Sequence, residues 1–205
     1  GLEPDAIQAV KDWRKAACDP YCAAEQKRLE AISDRIDTLW AEHAAARRGL
    51  LDEVSPTLPV WGQPERPAGP YSAEASAELA QLRLGHPNAP GKRLAAVMDY
   101  WCALWTWPVA KADSLPSRSV WLDDVEAMLE DLTQARSLPT VAAAAEVSAS
   151  ARFHHWAVRF PEVFEARGGF DVILGNPPWV KIQWNEQGVL SDFEPKLALR
   201  RLSAK

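Results

Sequence analysis

The residues with the clearest chemical potential lie near the carboxyl end of the chain, where residues 170–179 read FDVILGNPPW. The amide of Asn176 follows an apolar run that ends at Gly175, and it precedes two prolines and Trp179. An amide carbonyl can accept a hydrogen bond from an amino group, and an indole offers a face on which a planar ring can stack. These residue types, in this order, suit the binding of a flat ring that carries an amine.

The apolar run predicts a short buried strand. Residues 170–174 include β-branched side chains, which favour strands, and the strand must stop by Pro177 because proline cannot donate to a ladder. Asn176 precedes a proline and is held extended, so its side chain projects beyond the strand end, where ligands bind in open α/β sheets. Pro177 and Pro178 stiffen the backbone, which allows a main-chain carbonyl to accept the second amine hydrogen. An ordinary strand-to-loop exit is the alternative.

The stretch from Phe153 to Trp179, FHHWAVRFPEVFEARGGFDVILGNPPW, resembles the catalytic region of adenine-N6 DNA methyltransferases. It looks most like the large restriction–modification and phage-defence enzymes, namely the single-chain type IIG enzymes and their BREX and DISARM relatives. The resemblance covers residues 153–205 and extends more loosely to residues 94–108.

The resemblance implies a role for each residue of the motif. The Asn176 side chain and the Pro177 carbonyl would accept hydrogen bonds from the adenine amine, which readies its lone pair for the methyl group of S-adenosylmethionine. Pro178 and Trp179 would form the substrate-binding half: Trp179 stacks on an adenine flipped out of the duplex, and Pro178 holds the backbone in place. The family more often has Tyr or Phe at the last position, and Trp179 retains the stacking face.

The cofactor loop of such an enzyme is not evident in the sequence. It would need a glycine-rich turn after a first strand, but the ten glycines are scattered and the adjacent pair Gly168-Gly169 precedes the predicted strand. In the family this loop comes before the Asn-Pro-Pro motif, so we expect it upstream of Gly1. Only 26 residues follow Trp179, too few for later strands and a target-recognition domain. We therefore expect a piece of a larger methyltransferase, inactive alone, that meets DNA and its cofactor through other parts of the parent protein.

Composition is typical of a globular protein, with 47% hydrophobic and 25% charged residues. No apolar run is long enough for a membrane span, and the start of the chain lacks the features of a signal peptide, so a cytoplasmic protein without membrane contact is predicted. The net charge of −5 argues against a stand-alone DNA-binding module, which would usually be basic.

No metal site is predicted. Cys18 and Cys22 lie one helical turn apart and Cys102 is distant, and the four histidines do not show ligand spacing with them. We expect the three thiols to be small buried groups. The pair His154-His155 is expected to pack with one ring exposed rather than to act as an acid–base pair.

The sequence predicts helices over most of the remaining chain. The predicted fold is a mainly α-helical segment leading into a partial α/β Rossmann-like methyltransferase core. Four regions are expected: a helical hairpin or long-helix region (1–53), a Pro-rich linker (54–70), a helical insert (71–151) and the partial catalytic-core segment (152–205). Helices are predicted over residues 4–17, 22–51, 72–84, 117–135, 140–151 and 161–166, with a deeply buried apolar segment at 94–107 and a strand or extended segment at 153–160. Ser117 or Ser119 is expected to cap the helix at 117–135, and its predicted inner face consists of Val120, Leu122, Val125, Met128, Leu129 and Leu132.

Several side chains have two interpretations. Trp101, Trp105 and Trp107 are expected to be core aromatics rather than a nucleic-acid stacking platform, because no basic residues are interleaved with them. The charged face formed by Glu25, Lys27, Arg28, Glu30, Asp34 and Arg35 is expected to be solvated, with a DNA contact through Arg47 and Arg48 as the weaker alternative. The same choice applies to four cations near the carboxyl end: Lys181, Lys196, Arg200 and Arg201.

Two other functions fit part of the sequence. RNA or protein-glutamine methyltransferases use the same motif, although the glutamine enzymes are compact and lack a long Trp-rich helical insert. A non-enzymatic helical interaction module would treat NPPW as a simple strand exit.

Overall fold

Apolar residues that recur every three or four positions produce helices along most of the chain. The computed structural model describes residues 4–54, 61 and 73–176. The described helices are α1 (Pro4–Ala17), α2 (Ala23–Val54), α3 (Ala73–Leu84), α4 (Pro90–Trp105), a 3-10 helix (Val109–Ser114), α5 (Arg118–Glu130), α6 (Leu132–Ala135), α7 (Pro139–Ala151), α8 (Trp156–Arg159) and α9 (Pro161–Arg167). These described ranges contain no strand.

The chain separates into two units, Gly1–Phe170 and Asp171–Lys205. We call the first the helical unit; its described helices α2, α4, α5 and α7 enclose a common core. Residues 153–170 thus belong to the helical unit, whereas the sequence placed them with the catalytic core. Most of the Pro-rich linker predicted at 54–70 lies outside the described residues. No helix that the structure describes is both long and apolar enough to cross a membrane.

Short polar side chains determine where several helices begin. The Ser117 hydroxyl accepts a hydrogen bond from the Val120 amide at 3.3 Å, which confirms its predicted role as an N-cap. Asp131 ends α5 and caps α6 by accepting from the amides of Thr133 and Gln134. Glu25 accepts from the Cys22 amide at 2.8 Å, which is one half of a capping box at the start of α2.

Helix α4 lies at the centre of the helical unit and packs on α2, α5 and α7. Its buried face meets the inner face predicted for residues 117–135, which is confirmed for Leu122, Val125, Met128, Leu129 and Leu132. The prediction was wrong for Val120, which is 40% exposed. Val120 lies on the opposite side of α5, because each residue turns the helix by roughly 100°.

The prediction of core tryptophans was right for one residue and wrong for two. Trp107 is buried, whereas Trp101 and Trp105 are 45% and 43% exposed. Helix α4 turns Val97, Tyr100 and Leu104 towards the core, so the next position along the chain faces outwards at each turn.

Two other predictions are corrected. Residues 156–159 form the helical turn α8 rather than a strand, since the amides of Arg159 and Phe160 bond back to the carbonyls of His155 and Trp156. Cys18 and Cys22 are exposed rather than buried, because they lie in the connection between α1 and α2. The helix predicted over 117–135 is divided at Asp131 into α5 and α6. The other predicted helices are confirmed with small shifts in their ends.

A buried carboxylate links three helices of the core. Asp124 of α5 accepts hydrogen bonds from the Tyr100 hydroxyl of α4 at 2.6 Å and from the Thr140 hydroxyl of α7 at 2.5 Å. Tyr100 and Asp124 are 1% and 5% exposed. Burial, together with the hydrogen bond to the carboxylate, raises the pKa of Tyr100 well above its ordinary value, so the hydroxyl remains a donor.

His43 joins α2 to both α4 and α8. Its Nε2 lies 2.9 Å from the Val158 carbonyl oxygen, and its ring fills the space where a side chain on Gly91 would stand, 2.4 Å from an added Cβ. Burial lowers the pKa of His43 below its ordinary value of 6.5, and this outweighs the opposing effect of the Val158 carbonyl. The neutral ring therefore donates its Nε2 hydrogen to Val158.

We predict that Tyr100→Phe lowers the free energy of unfolding by about 1.5–3 kcal/mol, because a buried carboxylate loses one of its two donors. Urea unfolding followed by circular dichroism measures the change. Tyr21→Phe is the matched control, since the Tyr21 hydroxyl donates to no described residue, and its effect should stay within about 0.5 kcal/mol. Equal effects of the two substitutions would contradict the role of Asp124.

We also predict that His43 makes the fold sensitive to acid. Because folding lowers its pKa, the unfolded chain binds the proton first, so stability is lost as the pH falls through 6.5 towards the folded-state pKa. His43→Gln keeps an N–H donor but cannot titrate, and should lose less stability between about pH 7.5 and pH 5.5. Urea unfolding at the two pH values tests this, and parallel losses in both proteins would refute it.

Candidate functional site

The predicted catalytic motif begins at the carboxyl end of the described chain. Residues 171–176 carry neither helix nor strand, and Asn176 is exposed. Pro177, Pro178 and Trp179 lie outside the described residues, as do the four carboxyl-terminal cations. The strand at 170–174, the Rossmann-like core and the joint action of the four motif residues therefore stay predictions.

The residues before Asn176 are strongly apolar and exposed to solvent. Val172, Ile173 and Leu174 are 69%, 83% and 91% exposed. Three consecutive exposed aliphatic side chains require a covering partner, and the described residues do not provide it.

An aromatic cluster holds the residue at which this run begins. Phe170 contacts the rings of Trp156, Phe160 and Phe164 edge-on, with centroids 5.6, 5.6 and 5.7 Å away. Trp156 also stacks on Phe160. We call these four residues the Phe170 cluster; edge-to-face pairs of this kind contribute about 0.5–1.5 kcal/mol each beyond the burial of area.

A glycine turn brings Phe170 back onto these rings. Gly168 follows α9 with φ 73°, in the left-handed region, and its amide bonds to the Phe164 carbonyl at 2.8 Å. Gly169 also has a positive φ, of 159°. A residue with a Cβ would be strained at Gly168, so the adjacent glycines of the sequence form the exit of a helix rather than a cofactor loop.

Helix α2 holds α8 and α9 in place through polar contacts. The Trp40 indole donates to the Ala157 carbonyl at 3.3 Å, next to the bond from His43 to Val158. Further along α2, Arg47 pairs with Glu162 at 3.0 Å, and Arg48 pairs with Glu165. The two arginines that were the weaker candidates for a DNA contact thus pair with carboxylates of α9.

The histidine pair divides as predicted. His155 is half-buried, and its Nε2 lies 2.7 Å from an Asp99 carboxylate oxygen on α4. His154 is exposed and meets the edge of Trp156 with centroids 4.3 Å apart. The pair therefore packs α8 onto α4 and leaves one ring towards solvent.

A cleft of about 330 Å³ lies between α2, the first turn of α4 and the segment that enters α8. Its wall contains the cationic side chains of Arg47, Lys92 and Arg159 and the imidazole rings of His43, His154 and His155. We call this the cationic cleft. Sequence reasoning missed Lys92 and Arg159 as members of one site, since they lie 67 positions apart and only the packing of α8 brings them together.

A second cavity, of about 270 Å³, is aromatic. Trp13 of α1 and Trp121 of α5 join the outward-facing Trp101 and Trp105 in a series of tilted and edge-on contacts, with centroids 5.5–6.0 Å apart. We call this the tryptophan groove. The sequence did not single out Trp13 or Trp121, which come from helices far apart along the chain.

The charged side chain at the tryptophan groove, Arg118, is bound by other groups of the chain. Arg118 sits over the Tyr21 ring with its guanidinium carbon 4.4 Å from the centroid. The same side chain donates to the Ala16 carbonyl at 2.7 Å and the Asp19 carbonyl at 2.6 Å, and pairs with Glu25 at 3.3 Å. Arg118 thus ends α1 and joins it to α5.

Among the residues that the structure describes, no group of three or more His, Cys, Asp or Glu side chains is arranged to hold a metal ion.

Comparison with known proteins identifies the family. Residues 75–199 match the family model of the Eco57I restriction-modification methylase. This range includes the described helices from α3 to α9 and the NPPW motif, and it exceeds half of the chain. The chain therefore belongs to the Eco57I restriction-modification methylase family. No curated protein and no solved structure matched significantly.

The matched range divides the helical unit. Helices α1 and α2 precede residue 75, yet α2 supplies the His43 and Arg47 contacts that hold α8 and α9. The helical segment 75–151, for which the sequence offered only a loose resemblance at 94–108, lies inside the family range.

We predict that Phe170→Ala loosens α8 and α9, because three ring contacts are lost at once. The free energy of local opening should fall by roughly 1–2 kcal/mol, read from amide hydrogen exchange within residues 156–167. Phe170→Leu, which keeps an apolar side chain without a ring, should show a smaller change, and amides of α5 serve as an internal reference. Unaltered exchange in Phe170→Ala would mean that the cluster does not anchor these helices.

Proposed function

We propose that this chain belongs to a site-specific DNA methyltransferase that transfers a methyl group from S-adenosylmethionine to the N6 amine of adenine, in restriction–modification or phage defence. The observation that carries the proposal is the sequence NPPW at residues 176–179, within the range that matches a restriction-modification methylase. The family supports a methylase of DNA, and the motif supports an exocyclic amine as the acceptor.

The chemistry follows from the groups at the motif. The Asn176 side-chain carbonyl and the Pro177 main-chain carbonyl accept the two amine hydrogens, which orients the nitrogen and concentrates its lone pair. Trp179 stacks on the extruded base, a contact worth roughly 1–3 kcal/mol, and Pro178 limits movement of the backbone between them. Proximity and orientation of this kind supply much of the rate gain in a group transfer.

The helical unit supports this arrangement by presenting the motif segment. The Phe170 cluster holds the first residue of FDVILGNPPW. The next residues form the exposed apolar run Val172–Leu174, as expected of a strand that joins a sheet supplied by other parts of the parent protein.

The described residues do not form a site for the cofactor. Gly168 and Gly169 end α9, and the other described glycines are isolated along the chain, so none provides a loop of backbone amides for S-adenosylmethionine. In this proposal, other parts of the parent protein bind the cofactor, and residues of the present chain hold the base.

The same observations bear on the two alternative functions, an RNA or glutamine methyltransferase and a non-enzymatic interaction module. An RNA or glutamine methyltransferase would use the same motif, but the helical unit with its tryptophan groove is unlike the compact glutamine enzymes. A non-enzymatic interaction module would leave the family match across residues 75–199 unexplained.

We predict that Asn176→Ala in the parent protein reduces adenine-N6 methylation by roughly 10²–10³-fold, the usual cost of one preorganised hydrogen-bond partner. Methylated adenine is measured in host DNA and in a purified reaction with labelled cofactor. Trp179→Ala should also be impaired, whereas Trp179→Phe keeps the stacking face and should remain active. Full adenine methylation by Asn176→Ala would refute the assignment.

A further inference from the structure

We propose that the cationic cleft binds a phosphate of the DNA backbone. The proposal rests on the proposed function, in that it names a contact between the helical unit and the nucleic acid. It depends on side chains that neither the motif nor the family match assigns to a role.

Positive charge exceeds negative charge at the opening of the cationic cleft. The two carboxylates packed behind its wall are already engaged, Glu162 with Arg47 at 3.0 Å and Asp99 with His155 at 2.7 Å. Lys92 and Arg159 form no ion pair with any described residue. Among the described residues, the lining of the cleft contains no acidic side chain, so an anion that enters meets two unpaired cations.

The internal pairs keep the wall charged and in place. Burial has the largest single effect and raises the pKa of Glu162, but the hydrogen bond and charge of Arg47 together with a backbone hydrogen bond hold the pKa below its ordinary value. Arg47 is thus held against α9 with its side chain only 22% exposed, and it contributes to the potential of the cleft without being its mobile donor. Lys92 and Arg159 are exposed and can move to a ligand.

The position of Arg159 connects the cleft to the motif segment. Arg159 ends α8, while Trp156 at the start of α8 and the adjoining Phe160 contact Phe170. A phosphate held by Arg159 is therefore coupled through one helical turn to the first residue of FDVILGNPPW. Backbone contacts of this kind position a protein on DNA without reading its sequence.

Other surfaces of the helical unit fit DNA less well. The tryptophan groove contains one arginine, Arg118, which already donates to the Ala16 and Asp19 carbonyls and pairs with Glu25. The cationic cleft offers unpaired charge, which is what neutralisation of a phosphate requires.

The test measures binding of a fluorescent 20-base-pair duplex by the 205-residue chain, using anisotropy at several salt concentrations. The double variant Lys92→Glu/Arg159→Glu should bind roughly ten-fold more weakly or worse, and the salt dependence of log K should become shallower by about 2, one for each lost phosphate contact. The neutral variant Lys92→Gln/Arg159→Gln should bind the duplex with an affinity between those of the unaltered chain and the glutamate variant.

The matched control is Lys27→Glu/Arg35→Glu, which makes the same charge change at exposed positions of α2 outside the cleft. It should weaken binding far less than the cleft variant. Circular dichroism and thermal unfolding confirm that each variant is folded, and the glutamine pair serves if charge reversal disturbs the first turn of α4.

A second arm separates DNA from free phosphate. Inorganic phosphate at millimolar concentration is titrated while the ring signals of His154 and His155 are followed by NMR, with and without the duplex. Displacement of phosphate by duplex supports the proposal. Duplex binding that is absent in the unaltered chain, unaffected by the cleft variant, or equally affected by the control would overturn it.

These outcomes are independent of the proposed function, which is tested by adenine methylation in Asn176→Ala. If the cleft variant binds DNA normally while methylation still requires Asn176, the inference about the cleft fails and the proposed function stands.

Discussion

The contact that the rest of the structure depends on is the buried imidazole of His43. It joins three helices: it belongs to α2, it packs against Gly91 at the start of α4, and it donates to the Val158 carbonyl of α8. Because α8 lines the cationic cleft on one side and supports Phe170 on the other, both candidate functional features require this contact. The His43 contact requires that Gly91 has no side chain and that the His43 ring is neutral.

The helical unit and the motif segment differ in how far their polar and apolar groups are satisfied. Within the helical unit, the buried Tyr100 hydroxyl and Asp124 carboxylate are hydrogen-bonded to each other, and apolar side chains of several helices bury one another in a common core. The apolar run that follows Phe170 is uncovered by the described residues. This contrast is consistent with the proposed function, in which the apolar run forms a strand of a methyltransferase core.

Charge is distributed unevenly over a chain of net charge −5. Four arginines join helices: Arg28 to α5, Arg47 and Arg48 to α9, and Arg118 to the end of α1. Lys92 and Arg159 remain unpaired among the described residues and share one cleft. A protein can therefore be acidic overall and still present a local surface suited to a phosphate, because the potential near a cleft depends on its own lining groups.

The sequence by itself determined the helices, through the spacing of apolar residues and caps such as Ser117, and it determined the NPPW motif, which points to an amine. Only the tertiary structure decided that Trp101 and Trp105 face a groove, that Arg47 and Arg48 dock α9, and that Lys92 and Arg159 share a cleft. Periodicity reports which side of a helix is apolar, whereas the partner of each side chain depends on which helices pack together. That choice joins residues far apart in the chain, such as His43 and Val158.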